Sequence, residues 1–211
     1  AWYPGQNGMD SLAKILSGKL YPTGKLPISI EKEFVDSPGF GYLPEGDRIE
    51  DGYKKDKGKL VYDIVYQEGI FVGYRWYDKK NIEPLFPFGH GLSYTSFALS
   101  DLQLSSEKMD SEKGLTIKVK ISNNGKARGA EVVQLYLSDL ECREERPLKE
   151  LKRFEKVHLN ESESKVIDFH LEKLDLAYWD EKQKEWNVEP GIFTILIGTS
   201  SRNIILSRSF E

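Results

Sequence analysis

The sequence predicts a mainly β chain: a two-sheet β-sandwich in the C-terminal half, preceded by a partial α/β unit. Three observations carry this. From Phe97 onward, short runs of alternating apolar and polar residues recur with turn residues between them. Near the N-terminus, one amphipathic pattern is followed by one apolar run, enough for a single helix and a single strand. Between the two regions lies a stretch rich in glycine, proline and charge that shows neither period.

Met9, Leu12, Ala13, Ile15 and Leu16 fall at helical spacings, and Gly18 follows where helix ends favour glycine, so a helix is expected over Met9–Leu16. Leu26–Ile30, after the Pro22-Thr23-Gly24 turn, is expected to be a short edge strand, because Pro27 has no amide to donate. Such a unit buries its apolar face only against further βα units, so it is expected to need a partner. Glu31–Lys59 reads as a loop or excursion, and Leu60–Val65 and Gly69–Tyr77 as extended segments. Further on, Leu115, Ile117, Val119 and Ile121 share one face while Thr116, Lys118 and Lys120 share the other, and Asn123-Asn124-Gly125 closes the run with a hairpin-type turn. Val132–Leu137, Lys165–Leu171, Gly191–Ile197 and Asn203–Phe210 supply further strands. Roughly seven strands over about 110 residues is the pattern of an immunoglobulin-like or fibronectin type III-like sandwich. The division expected is 1–32 for the end of an α/β domain, 33–96 for a loop and hairpin junction, and 97–211 for the sandwich.

Composition narrows the function classes. The 211 residues are 39% hydrophobic and 30% charged, an ordinary balance for a folded domain. The net charge of −4 is spread along the chain with no basic stripe, which argues against nucleic acid. Cys142 is alone, cannot form an internal disulfide, and reads as a surface thiol in a polar run. His90, His158 and His170 lack ligand spacing, so no metal and no cofactor are expected. No apolar run is long enough to span a bilayer as a helix, so no membrane partner is expected. Without a leader-like segment the chain as given tilts toward the cytoplasm, with the compartment of any parent enzyme left open. Trp2 and Tyr3 before a Pro-Gly turn read as the end of a strand whose neighbours precede this sequence, so a piece of a longer protein is expected.

The most distinctive stretch is Tyr66–Thr95, YQEGIFVGYRWYDKKNIEPLFPFGHGLSYT, where glycines and prolines punctuate aromatics to turn the chain between two packed bodies. Together with AWYPGQNG (Ala1–Gly8), PTGKLPISI (Pro22–Ile30), RPLKELKRFEKVHL (Arg146–Leu159) and GTSSRNIIL (Gly198–Leu206), in that order, it closely resembles the C-terminal portion of family 3 glycoside hydrolases, the β-glucosidase and β-xylosidase group. The resemblance implies a fibronectin type III-like domain over the last part of the chain, in agreement with the strand pattern. It also implies a parent enzyme hydrolysing terminal β-D-glucosyl or related residues, with barrel and α/β domains upstream as partners. Two departures from the family pattern, Arg153 in place of a usual glycine and Asn160-Glu161-Ser162-Glu163 in place of a Pro-Gly-Glu turn, leave local turn types open.

A retaining glycosidase uses two carboxylates about 5 to 5.5 Å apart. In the family both lie before the AWYPGQ block and neither motif is present here, so no catalytic residue is assigned and the chain is expected to be a packing module, with a homo-oligomer open to it. Glu68, Trp76 and Asp78, set among Tyr66, Tyr74 and Tyr77, are candidate sugar contacts: carboxylates bond hydroxyls and rings pack on sugar C–H faces. The competing reading is that Glu68 and Asp78 pair with Arg75 or cap turn amides while the aromatics fill an interdomain seam. His90 is expected to be held in a tight turn, and the Arg146, Lys149 and Lys152 cluster to form a solvated strand edge balanced by nearby glutamates. Trp179 and Trp186 bracket the turn Asp180–Glu185 as a glycan platform or as packing for the sandwich end. Two further readings stay open: a freestanding carbohydrate-binding module, favoured by exposed coplanar tryptophans, and an interaction domain, favoured by an exposed apolar patch on the helix.

Overall fold

The alternating runs fold into two antiparallel sheets that share one core. The computed structural model describes residues 5–41, 54–56, 59–61, 66–139 and 141–211, with 54–56 and 59–61 described by backbone alone. In chain order the elements are α1 (Gly8–Leu16), a 3-10 turn (Phe34–Asp36), a hairpin of β1 (Lys54–Asp56) and β2 (Lys59–Val61), and α2 (Tyr74–Lys80). The sandwich follows with β3 (Phe97–Leu104), β4 (Leu115–Asn123), β5 (Gly129–Asp139), β6 (Glu150–Leu159) and β7 (Ser164–Leu171). A single turn α3 (Lys173–Leu176), a hairpin of β8 (Tyr178–Asp180) and β9 (Glu185–Asn187), β10 (Phe193–Gly198) and β11 (Ile204–Phe210) complete it. One sheet has the order β11-β10-β5-β6 and the other β3-β4-β7.

The core is built by the inward residues of these strands. Leu115, Ile117, Val119 and Ile121 of β4 join Val133, Leu135 and Leu137 of β5 and Ile195 and Ile197 of β10, all essentially inaccessible to water. Each such side chain contributes about 1.5–3 kcal/mol of transfer free energy, so alternation at period 2 is enough to hold the two sheets face to face. Asn123, 1% exposed, closes one end: its amide donates to Ala127 O at 2.8 Å and Asn160 O at 2.9 Å, while its oxygen accepts from Thr95 Oγ1 at 2.7 Å. That network fixes where the chain enters the sandwich. Ser162 takes φ +59 in the β6–β7 turn, the left-handed value that a glycine would otherwise supply.

Two expectations are corrected. Gly69–Tyr77 is not extended: after Gly73, at φ +56, the chain winds into α2 and stops at Asn81 in the left-handed region at φ 52. The helix is too short to display a clear apolar period, and its β-branched and aromatic neighbours mimic a strand. Leu26–Ile30 is not a regular strand either. Leu26 N–H donates to His90 O at 2.8 Å, Gly89 N–H to Leu26 O at 2.8 Å, and Ile30 exchanges amide bonds with Phe86, so the segment pairs with the junction at its two ends only. Pro27 removes a donor and leaves the ladder incomplete. Leu60 and Val61 lie in β2; 62–65, the stretches 42–53 and 57–58 of the Glu31–Lys59 loop, and Trp2 and Tyr3 lie outside the described residues. Among the described residues no helix is long and apolar enough to cross a membrane.

Candidate functional site

β5 is buried on both faces, which a strand at the surface of a two-layer sandwich would not be. Val133, Leu135 and Leu137 enter the core, while on the opposite face Gln134 and Tyr136 are covered by the junction and the Ser138 hydroxyl donates to Leu148 O at 2.7 Å. The Tyr74 ring stands edge-on to Tyr136, with centroids 5.8 Å apart at 83°, and packs on Phe88 at 5.4 Å. Its hydroxyl accepts the Leu151 N–H at 2.9 Å, next to the bulge that Lys152 introduces into β6. The Tyr136 hydroxyl donates to Gln134 Oε1, and Gln134 Nε2 donates to Thr199 O at 3.1 Å. Burial pushes the Tyr136 phenol far above its ordinary value, with Tyr74 and Asp78 adding to the effect. Ser201 N–H donates to Phe88 O at 2.9 Å, and Gly89, at φ +84, lies where a Cβ would come within 2.9 Å of Ser200 Cα. Only glycine lets the two backbones approach this closely.

Ion pairs bolt the same seam. The Asp78 side chain on α2 is 2% exposed, and its oxygens meet Lys149 Nζ at 2.5 Å and Arg202 Nη1 at 3.3 Å. Arg202 Nη2 also donates to Ile82 O at 2.7 Å and Tyr77 O at 3.3 Å, satisfying carbonyls at the end of α2. Arg75 meets Glu150 at 3.1 Å; Glu150 also holds Arg146 at 2.9 Å and Lys152 at 3.4 Å, and Arg146 reaches Asp139 and Leu176 O, each at 2.9 Å. Burial alone would raise the Glu150 carboxyl, but Arg146, Lys152 and Arg75 hold it below the usual carboxylate range. Burial lowers the Lys152 ammonium, with Glu150 opposing. The basic cluster is therefore no solvated edge: the Arg146 side chain is 7% exposed, enclosed by Asp139, Glu150 and Leu176 O, and α2 reaches the same edge through Arg75–Glu150 and Asp78–Lys149.

The candidate sugar contacts fall in different surroundings. Asp78 sits inside the seam, facing Lys149 and Arg202 rather than Arg75. Trp76 is half-buried and its indole N–H donates to Asp36 O at 3.0 Å, with Lys80 Nζ 5.0 Å over the ring. Glu68 lies in the turn before α2; its backbone oxygen accepts from Phe71 N–H at 3.1 Å, and its Oε2 is buried without a hydrogen-bond partner among the described residues. The nearest concavity, about 620 Å³, opens between Pro27–Ser29 and the start of α2 and is lined by Glu31, Arg75, Tyr74 and Tyr77. His90 is held in a turn by its N–H to Pro87 O at 3.0 Å and by its ring against Phe86 at 5.0 Å. No cluster of three metal-ligating side chains occurs among the described residues. Sequence reading did not single out Tyr136 or Arg202, and it placed Tyr74 beside candidate sugar contacts and Lys149 on a solvated edge rather than in this seam. One signal was available: Val132–Leu137 is nearly unbroken in apolar character, as a strand covered on both sides requires.

The outer face of β5 is covered by segments that precede the sandwich, and the seam between them is assembled from the Pro22–Ile30, Tyr66–Thr95, Arg146–Leu159 and Gly198–Leu206 blocks. Residues 1–74 match the glycosyl hydrolase family 3 C-terminal domain, and residues 131–201 the fibronectin type III-like domain. Thermostable β-glucosidase B of Acetivibrio thermocellus is 44% identical over 210 residues, covering 99% of this chain and 26% of that enzyme. β-Glucosidase BoGH3A of Bacteroides ovatus is 42% identical over 214 residues, covering 100% of this chain and 27% of that enzyme. The crystal structure of a Bifidobacterium adolescentis family 3 β-glucosidase superposes with a TM-score of 0.84 at 35% identity, over 99% of this chain and 28% of that one. The chain belongs to glycoside hydrolase family 3, where it corresponds to the C-terminal region of the β-glucosidases. It spans about a quarter of the length of these relatives.

Proposed function

We propose that this chain is the non-catalytic packing module of a family 3 β-glycosidase acting on terminal non-reducing β-D-glucosyl or related residues, with its substrate met by the remainder of the enzyme. The observation that carries the reading is the convergence of four family blocks on one seam closed by buried ion pairs and backbone hydrogen bonds. A rigid seam of buried ion pairs and interlocked tyrosines transmits the position of the sandwich to whatever α1 and the Leu26–Ile30 segment pack against. The division 1–32, 33–96 and 97–211 follows from this reading. Incubation of the isolated chain with aryl β-glucosides is expected to give no turnover; turnover that disappears in Glu68→Gln would overturn the proposal and make the junction an active site.

The partner proposed is the upstream barrel and α/β portion of the same enzyme. α1 buries none of its residues, and Met9, Leu16, Phe34 and Val35 are all more than half exposed. Covering four such side chains is worth on the order of 6–12 kcal/mol, too much apolar surface to leave open without association. In light scattering the full chain is expected to self-associate or bind a hydrophobic dye, whereas a segment starting at Phe97 is expected to unfold cooperatively and stay monomeric. A strictly monomeric full chain that binds no more dye than the shorter segment would sink the partner assignment.

A further inference from the structure

We infer that the β8–β9 hairpin is a contact site for a neutral glycan, made by Trp179 and Trp186 acting as one unit. The two residues are cross-strand partners, so both indoles leave the same face of the ribbon. They are 49% and 61% exposed, and hence do not pack the end of the sandwich. Their centroids are 5.7 Å apart with planes at 73°, a corner rather than the flat platform that a freestanding carbohydrate-binding module would need. Such a corner receives one sugar ring, its C–H face against one indole and its flank against the other.

The ribbon is fixed from behind. Asp180 is buried and accepts from Lys182 N–H at 2.8 Å and Gln183 N–H at 3.0 Å, while Lys184 takes φ +57 to close the turn. On the same inner face the Tyr178 hydroxyl donates to Glu189 Oε1 at 3.1 Å and accepts from Asn187 Nδ2 at 3.3 Å. Preorganised aromatics with two χ angles each lose little freedom on binding. The exposed charges between the rings balance, Glu181 and Glu185 against Lys182 and Lys184, and the buried Asp180 adds one negative charge behind them, which disfavours phosphates and highly charged peptides. Sugar hydroxyls, able to donate and accept, suit such a mixed rim.

This inference is independent of the packing reading, since the hairpin lies outside the seam. The test follows the indole N–H resonances of the full chain as cellobiose is added. Saturable shifts of the Trp179 and Trp186 signals are expected with Kd on the order of 1 mM. Trp186→Ala should weaken binding at least about tenfold, and Trp186→Phe by no more than about threefold, at unchanged thermal stability. No saturable shift on those two signals would overturn the inference. So would shifts that follow protein concentration in the absence of sugar, which would assign the corner to a second copy of the chain.

Discussion

Replacing Asp78 with alanine is expected to lower the stability of the seam-containing unit by about 3–5 kcal/mol, a fall in Tm of roughly 6–20 °C for a chain of this size. Asp78 is closed off from water between Lys149 and Arg202, so its removal leaves an ammonium 11% exposed with no carboxylate beside it. Most of the loss arises from that stranded cation and not from the net value of the pair, because desolvating both partners already offsets much of their attraction. Arg202 is less affected, since Tyr77 O and Ile82 O still accept its N–H groups. The double variant Asp78→Leu, Lys149→Met should therefore recover a large part of the loss. Thermal melts of the single and double variants check this. A drop below about 1 kcal/mol in the single variant would mean that water reaches the pair, leaving α2 only loosely docked.

The sandwich was legible because its determinant is local: alternation over Leu115–Ile121 and Lys165–Leu171 appears as β4 and β7 with their apolar sides in the core. The amphipathic spacing of Met9–Leu16 likewise marks α1 to within one residue. The seam was not legible, since its partners are remote in sequence. Asp78 meets Lys149 at a separation of 71 residues, and Tyr74 meets Leu151 at 77. No periodicity encodes such a pairing, and a helix of seven residues held by those contacts has little signature of its own. The same blindness made the basic cluster look like a solvated edge: Arg146, Lys149 and Lys152 have glutamates near them in sequence, but Lys149 is closed in by Asp78 of α2 and Arg146 by Leu176 O, both remote in sequence. Family blocks in order pointed to the right region without saying that they touch.

Tyr136→Phe is expected to destabilise the protein near neutral pH and to lose that disadvantage in alkali. At pH 7 the substitution strands Gln134 Oε1, which accepts the phenol, and leaving a buried acceptor unmade costs about 1–3 kcal/mol. The alkaline arm follows from linkage. A phenol is neutral when protonated, and burial raises the folded-state value of Tyr136 well above the ordinary value of about 10. Its contribution is thus fully present below pH 10. Above that, the unfolded chain sheds a proton that the folded chain must keep, and stability falls by up to about 1.4 kcal/mol per pH unit until the folded value is passed. Tyr77, also raised by burial and by Glu31 and Asp36, loses stability in the same direction, but it is present in both proteins and cancels in the comparison. Denaturant melts of wild type and Tyr136→Phe at neutral pH and between roughly pH 10.5 and 11.5 should show the gap between them narrowing by on the order of 1 kcal/mol. A gap that stays constant across that range would mean that the Tyr136 hydroxyl reaches water, and that the junction does not seal the outer face of β5.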